Sequence, residues 1–202
     1  MITRLAEASG VSNFRAGLRS AIRALWAGVW GEAEFIGAVG DSIETAYPQA
    51  WLEGAKACGI ISLDELTVLE QNALRQATYD QFAYIPPFAD AVVAGSRANG
   101  GKLAPLLRRA DMWVNGYNGI VAKAKTMSCG DLKGAWRLGA TEVHCSTCSA
   151  LNGKVKRMSY WAAHVLPQNP PNPKLECGGW RCDCTIEPTD LPLSKGKLPG
   201  LR

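Results

Sequence analysis

Five of the chain's seven cysteines, Cys145, Cys148, Cys177, Cys182 and Cys184, fall in its last third. Two thiolates separated by two residues can share one metal ion without strain, and zinc takes four such ligands in a tetrahedron. The spacing C-x2-C, an insert over 149–176, then C-x4-C-x-C therefore predicts a two-knuckle metal site with one thiol more than a tetrahedron uses. A disulfide framework is the rival reading, and it requires an oxidising compartment. The amino terminus, Met1 to Gly10, has neither the basic nor the apolar region of a secretory signal, so structural zinc is the preferred reading. Cys58 and Cys129 stand apart and read as small buried apolar side chains in helical segments.

With 47% hydrophobic and 20% charged residues, the chain has the composition of a globular protein with one substantial core and a small satellite, not of a disordered one. The most apolar stretch, Ile22 to Val39, carries Arg23, Glu32 and Glu34, which argues against a membrane span. A net charge of +4 conceals an asymmetry. Lys and Arg against Asp and Glu number 4 to 3 over 1–40, 3 to 8 over 41–100 and 15 to 7 over 101–202. A basic second half permits contact with a phosphate backbone, although cations spread this evenly also describe a solvated face.

Helical periodicity dominates the first two thirds. Phe14, Leu18, Ile22, Leu25, Trp26, Val29 and Trp30 repeat at three and four, marking one face of a helix. A weaker segment over 41–57 contains Pro48 and is expected to be kinked or divided. Ser62-Leu63-Asp64-Glu65 has the form of a capping box and predicts a helix from there to Phe82, ended by Ile85-Pro86-Pro87. A short helix over 88–96 follows. The strongest stripe comes next, in a helix over 102–126 carrying Leu103, Leu106, Leu107, Ala110, Trp113, Val114, Tyr117, Ile120, Val121 and Ala124.

From Ser128 the periodicity disappears. The run Trp136 to Val143 suits a strand leading into the first knuckle, and Lys154-Val155 and Thr185-Ile186 suit short strands around the second. Pro167-Gln-Asn-Pro-Pro-Asn-Pro173 predicts a stiff extended loop. So little apolar material needs a metal bound only by the folded form to hold it together. The expected class is α+β, with a mainly helical part over 1–130 and a small zinc-stabilised, β-containing, cysteine-rich domain over 131–202 that ends in an extended tail.

The stretch from Trp136 through His144, Cys145 and Cys148 to Leu151-Asn152-Gly153-Lys154-Val155 is followed by a proline-rich insert and Leu175-Glu-Cys-Gly-Gly-Trp-Arg-Cys-Asp-Cys184. In this order the features resemble the carboxy-terminal domain of phage head morphogenesis proteins, the minor head proteins of the phage Mu F type. The resemblance covers about residues 132–188. It departs from the family where a histidine and proline often precede the final C-x-C; here Cys177 stands close to that place, and Cys184 or His144 competes as fourth ligand.

The resemblance implies a structural virion component in the head or neck, present in the host cytoplasm during assembly. Such a protein is oligomeric in the virion, attaches to the portal or the major capsid protein, and assists head assembly, genome packaging or DNA delivery. It implies no enzyme. Thiolate ligands blunt zinc as a Lewis acid, and a zinc-finger nuclease needs more histidines than His144 and His164. The expected ligands are Cys145, Cys148, Cys177 and Cys182, with Cys184 as neighbour or alternate. The alternative function is a zinc-ribbon regulatory protein that binds nucleic acid, stacking Trp136, Tyr160, Trp161 or Trp180 on bases.

Overall fold

The computed structural model describes residues 2–140, 143–168, 170–180, 182–199 and 201. Five long helices come first: α1 Ile2–Trp26, α2 Glu32–Ala55, α3 Val68–Phe82, α4 Ile85–Ala94 and α5 Leu103–Ser128. Then follow β1 Lys133–Arg137, α6 Ser146–Leu151, β2 Val155–Arg157, α7 Met158–His164 and β3 Thr185–Pro188. The three strands form one antiparallel sheet of order β2-β1-β3, with Ala135 opposite Val155 on one side and Glu187 on the other. A helix-rich chain with a small antiparallel sheet is the expected α+β arrangement. No helix among the described residues is long and apolar enough to cross a membrane.

Several local expectations are corrected. Ser62 accepts the Asp64 amide and caps only a short 3-10 turn, Leu63–Glu65. The helix itself starts six residues later on a second box, in which the Thr67 amide donates to Glu70 Oε2 at 2.9 Å and the Glu70 amide to Thr67 Oγ1 at 3.3 Å. Pro86 and Pro87 do not merely end a helix. They open α4, whose first turn needs no amide donors. Pro48 lies inside α2, which continues through it.

The chain separates into two compact units, residues 1–50 with 71–114 and residues 51–70 with 115–202. The unit holding the cysteine-rich segment thus takes in residues on both sides of the 130/131 division read from sequence. In the first unit Phe14, Leu18, Ile22 and Leu25 of α1 are buried, as are Phe35, Val39, Ile43 and Tyr47 of α2. Phe88 of α4 joins two other rings, with centroids 6.0 Å from Phe35 and 5.0 Å from Trp113. Arg109 lies over its face at 4.9 Å.

In the second unit α5 continues its stripe with Tyr117, Ile120 and Ala124 buried. Tyr117 donates to Glu53 at 2.5 Å, and burial together with that carboxylate raises the phenol's pKa. Lys125 reaches the Ile186 carbonyl at 3.4 Å, and Asn115 donates to the carbonyl of Trp180. Cys58 and Cys129 form a disulfide, their Cα atoms 5.6 Å apart. They are not the isolated thiols expected, because a separation of 71 residues hides their contact from local pattern.

Candidate metal centre

Trp136 and Trp161 build the floor of the site. Their rings are 5.6 Å apart and both are fully buried, with the Trp161 indole donating to the Gly134 carbonyl at 2.8 Å. Around them close Leu151, Met158, Val165, Leu166, Leu175 and Ile186, and into this apolar cluster project Cys148, Cys182 and Cys184, all buried. Cys145 and Cys177 pack at its margin, half-buried. Trp136 and Trp161 are therefore core residues that cannot stack on bases.

Cys145 caps the first turn of α6, and its sulfur accepts the Cys148 amide at 3.4 Å. The second knuckle is stapled to the first. Both the amide and the hydroxyl of Ser146 donate to Glu176 Oε2, at 2.9 and 2.6 Å, beside Cys177. Gly178 and Gly179 follow with φ of 62° and 77°, left-handed values that side chains rarely tolerate, which turn the Gly179 amide back onto the Cys177 sulfur.

Cys182 and Cys184 arrive beside Gly139. A Cβ at Gly139 would lie 2.2 Å from the Asp183 carbonyl, so glycine permits the approach that brings its amide to Cys184. The proline-rich insert is folded, not extended. Asn172 donates to the Leu166 carbonyl at 2.8 Å and Gln168 to the Cys184 carbonyl at 2.9 Å, both side chains buried. Polar anchors at both ends of the prolines make that turn, a tertiary effect that composition does not reveal.

The five thiols fall into two groups of three, each with its sulfurs within 4.8 Å of one another: Cys145, Cys148 and Cys177, and Cys148, Cys182 and Cys184. Cys148 belongs to both. Its sulfur is 3.8 Å from that of Cys182, which is the edge of a tetrahedron with metal–sulfur bonds of about 2.3 Å. Cys184, expected as a neighbour, is a full member of the buried group. His144 belongs to neither group.

Protons are shared unequally among these sulfurs. The Cys148 and Cys182 thiols donate to Cys184 and, with the Gly139 amide, hold its pKa down to about 3 against the cost of burial. The Trp136 indole N–H, buried without another hydrogen-bond partner, favours the same thiolate. Hydrogen bonds with Cys182 and Cys184 raise Cys148 far above an ordinary thiol, and burial pushes Cys177 up to about 11. Burial opposes the Cys145 thiolate, but bonds from the Cys148 amide and thiol prevail and lower it. Five thiols converging in an apolar pocket, with amides against their sulfurs, have the chemistry of a metal-binding cluster in which metal replaces protons.

His164 stacks on Tyr160 with ring centroids 3.9 Å apart, and its Nδ1 pairs with the Tyr160 carbonyl at 2.8 Å. Thr141, Glu142 and Arg181, which the sequence reading placed in the approach strand and the second knuckle, lie outside the described residues. No family model, curated protein or solved structure matches the chain.

Proposed function

We propose that this chain is a structural minor head protein of a tailed phage or prophage, and that its cysteine cluster holds a structural zinc ion. The observation that carries the metal reading is the convergence of Cys145, Cys148, Cys177, Cys182 and Cys184 within the apolar core around Trp136. Four thiolates close the shell of one zinc ion and leave no position for water, which suits a structural and not a hydrolytic role. The order of features from Trp136 to Cys184 supports the head-protein reading through its resemblance to the phage Mu F type.

Attachment to a portal or capsid needs an apolar surface. On α1 and α5 the residues Phe14, Leu18, Ile22, Leu25, Leu106, Trp113, Tyr117 and Ile120 are buried, whereas Trp26, Leu103 and Leu107 are only partly so. Ile61, Val68 and Leu69, each more than 70% exposed around the start of α3, are better suited. Some cations of the basic half also tie down the chain around them. Lys133 donates to the carbonyls of Asp190 and Leu191, Lys156 to those of Ser194 and Gly196, and Arg157 to that of Asp131. Arg137 faces Glu187 at 4.0 Å.

Metal analysis of protein purified without added zinc should find one ion per chain. Metal-free protein with all its thiols oxidised would end the zinc reading. Co-expression with the portal and capsid proteins of a neighbouring gene cluster should yield a stable complex, reduced by Val68→Asp with Leu69→Asp. A monomer that ignores both partners and binds DNA with a steep salt dependence would favour the alternative.

A further inference from the structure

Four of the five sulfurs have a backbone amide against them. Cys145 accepts from Cys148, Cys177 from Gly179, Cys182 from Cys184, and Cys184 from Gly139. Cys148 differs, for the hydrogen bonds that act most on its sulfur are those with the thiols of Cys182, Cys184 and Cys145. A terminal metal thiolate keeps lone pairs that amide donors stabilise, whereas a bridging thiolate gives those lone pairs to two metals. Cys148 is also the one sulfur common to both groups of three.

We propose that the five thiols form a two-metal site for cuprous ions, with Cys145, Cys148 and Cys177 around one ion, Cys148, Cys182 and Cys184 around the other, and the Cys148 sulfur bridging. Three thiolates complete the shell of a soft monovalent ion, while zinc on the same three needs a fourth donor. No redox change is involved. Each thiol that is still protonated loses its proton to solvent as its sulfur–copper bond forms. The inference shares with the zinc reading only the premise that the cluster binds metal, and it adds a second capacity for an ion of lower coordination number.

The test uses the full chain with Cys58 and Cys129 both replaced by alanine, so that only the five cluster thiols compete. Reduced, metal-free protein is titrated anaerobically with cuprous ion held by bicinchoninate, and separately with zinc. Two cuprous ions per chain should transfer, with three sulfurs around each copper and a copper–copper contact in X-ray absorption. Cys177→Ser and Cys184→Ser should each keep one ion and lose that contact, and Cys148→Ser should lose the contact as well. One cuprous ion per chain, or two without a copper–copper contact, would overturn the bridged site. Zinc binding at one per chain in the same preparation would leave the zinc reading intact. Failure to bind either ion would remove both.

Discussion

Phe88 and Cys148 mark the centres of two compact units that cohere in different ways. Around Phe88 lie helices whose aromatic and aliphatic faces bury one another, with Arg15 and Arg19 against Asp111 at the surface, 3.9 and 3.4 Å away. Around Cys148 lie one three-stranded sheet, two short helices and a folded proline turn, tied by a disulfide, side chains that reach backbone carbonyls, and five thiols. Long helices satisfy their own backbone and can rely on apolar burial. Short elements joined by loops leave many polar groups to be satisfied from outside the element, and there covalent or metal links substitute for buried area.

Removing metal should separate the two modes most widely. Structural zinc contributes on the order of 10 kcal/mol to a domain that folds around it. Chelation, or Cys148→Ser, is expected to open the segment from about Trp136 onward, shifting tryptophan emission and exposing protease sites after residue 130, while most helical circular dichroism remains. Global loss of helix would show that the metal supports both units as one cooperative structure.

Next in size are two changes of about 4 kcal/mol that should act on different units. Phe88→Ala removes a buried ring from a three-ring cluster and should cost about 3–5 kcal/mol, with the same loss in chelator as in zinc. Opening the Cys58–Cys129 link frees a loop of 71 residues, an entropic cost of about 4 kcal/mol. Hydrogen exchange should then accelerate over 51–70 and at the end of α5. Urea titrations with site-resolved exchange would check both, and a uniform loss of protection would erase the distinction between the units.

The smallest effect concerns Glu70, which joins the start of α3 to the end of α5 by accepting from Thr67 and, at 2.5 Å, from Ser128. Burial works against its carboxylate, but these bonds prevail and lower its pKa. A depressed pKa means that its contribution is complete above the ordinary carboxylate range and is lost as pH falls through the lower folded value. Glu70→Gln should cost about 1–2 kcal/mol at neutral pH, and the urea midpoints of the two proteins should converge in acid. A difference independent of pH would assign the effect to packing.

The sequence alone determined the helical class of the first two thirds, the buried stripe of α5 and the identity of the thiols that cluster, because each is written in local spacing. Apolar residues at three and four have one helical face to occupy, and a C-x2-C spacing is short enough to bring its two sulfurs together. Tertiary structure decided the true start of α3 at Val68, after the Thr67 cap, the pairing of Cys58 with Cys129, the anchoring of the proline turn by Gln168 and Asn172, and the bonds of Lys133 and Lys156 to carbonyls of the tail. It also decided that Cys148 belongs to both groups of thiols. Each of these is a contact between residues whose partners are chosen by the folded backbone, or a choice between two local signals of equal strength. Spacing along a chain specifies which side chains share a face, and only the closed fold specifies what that face meets.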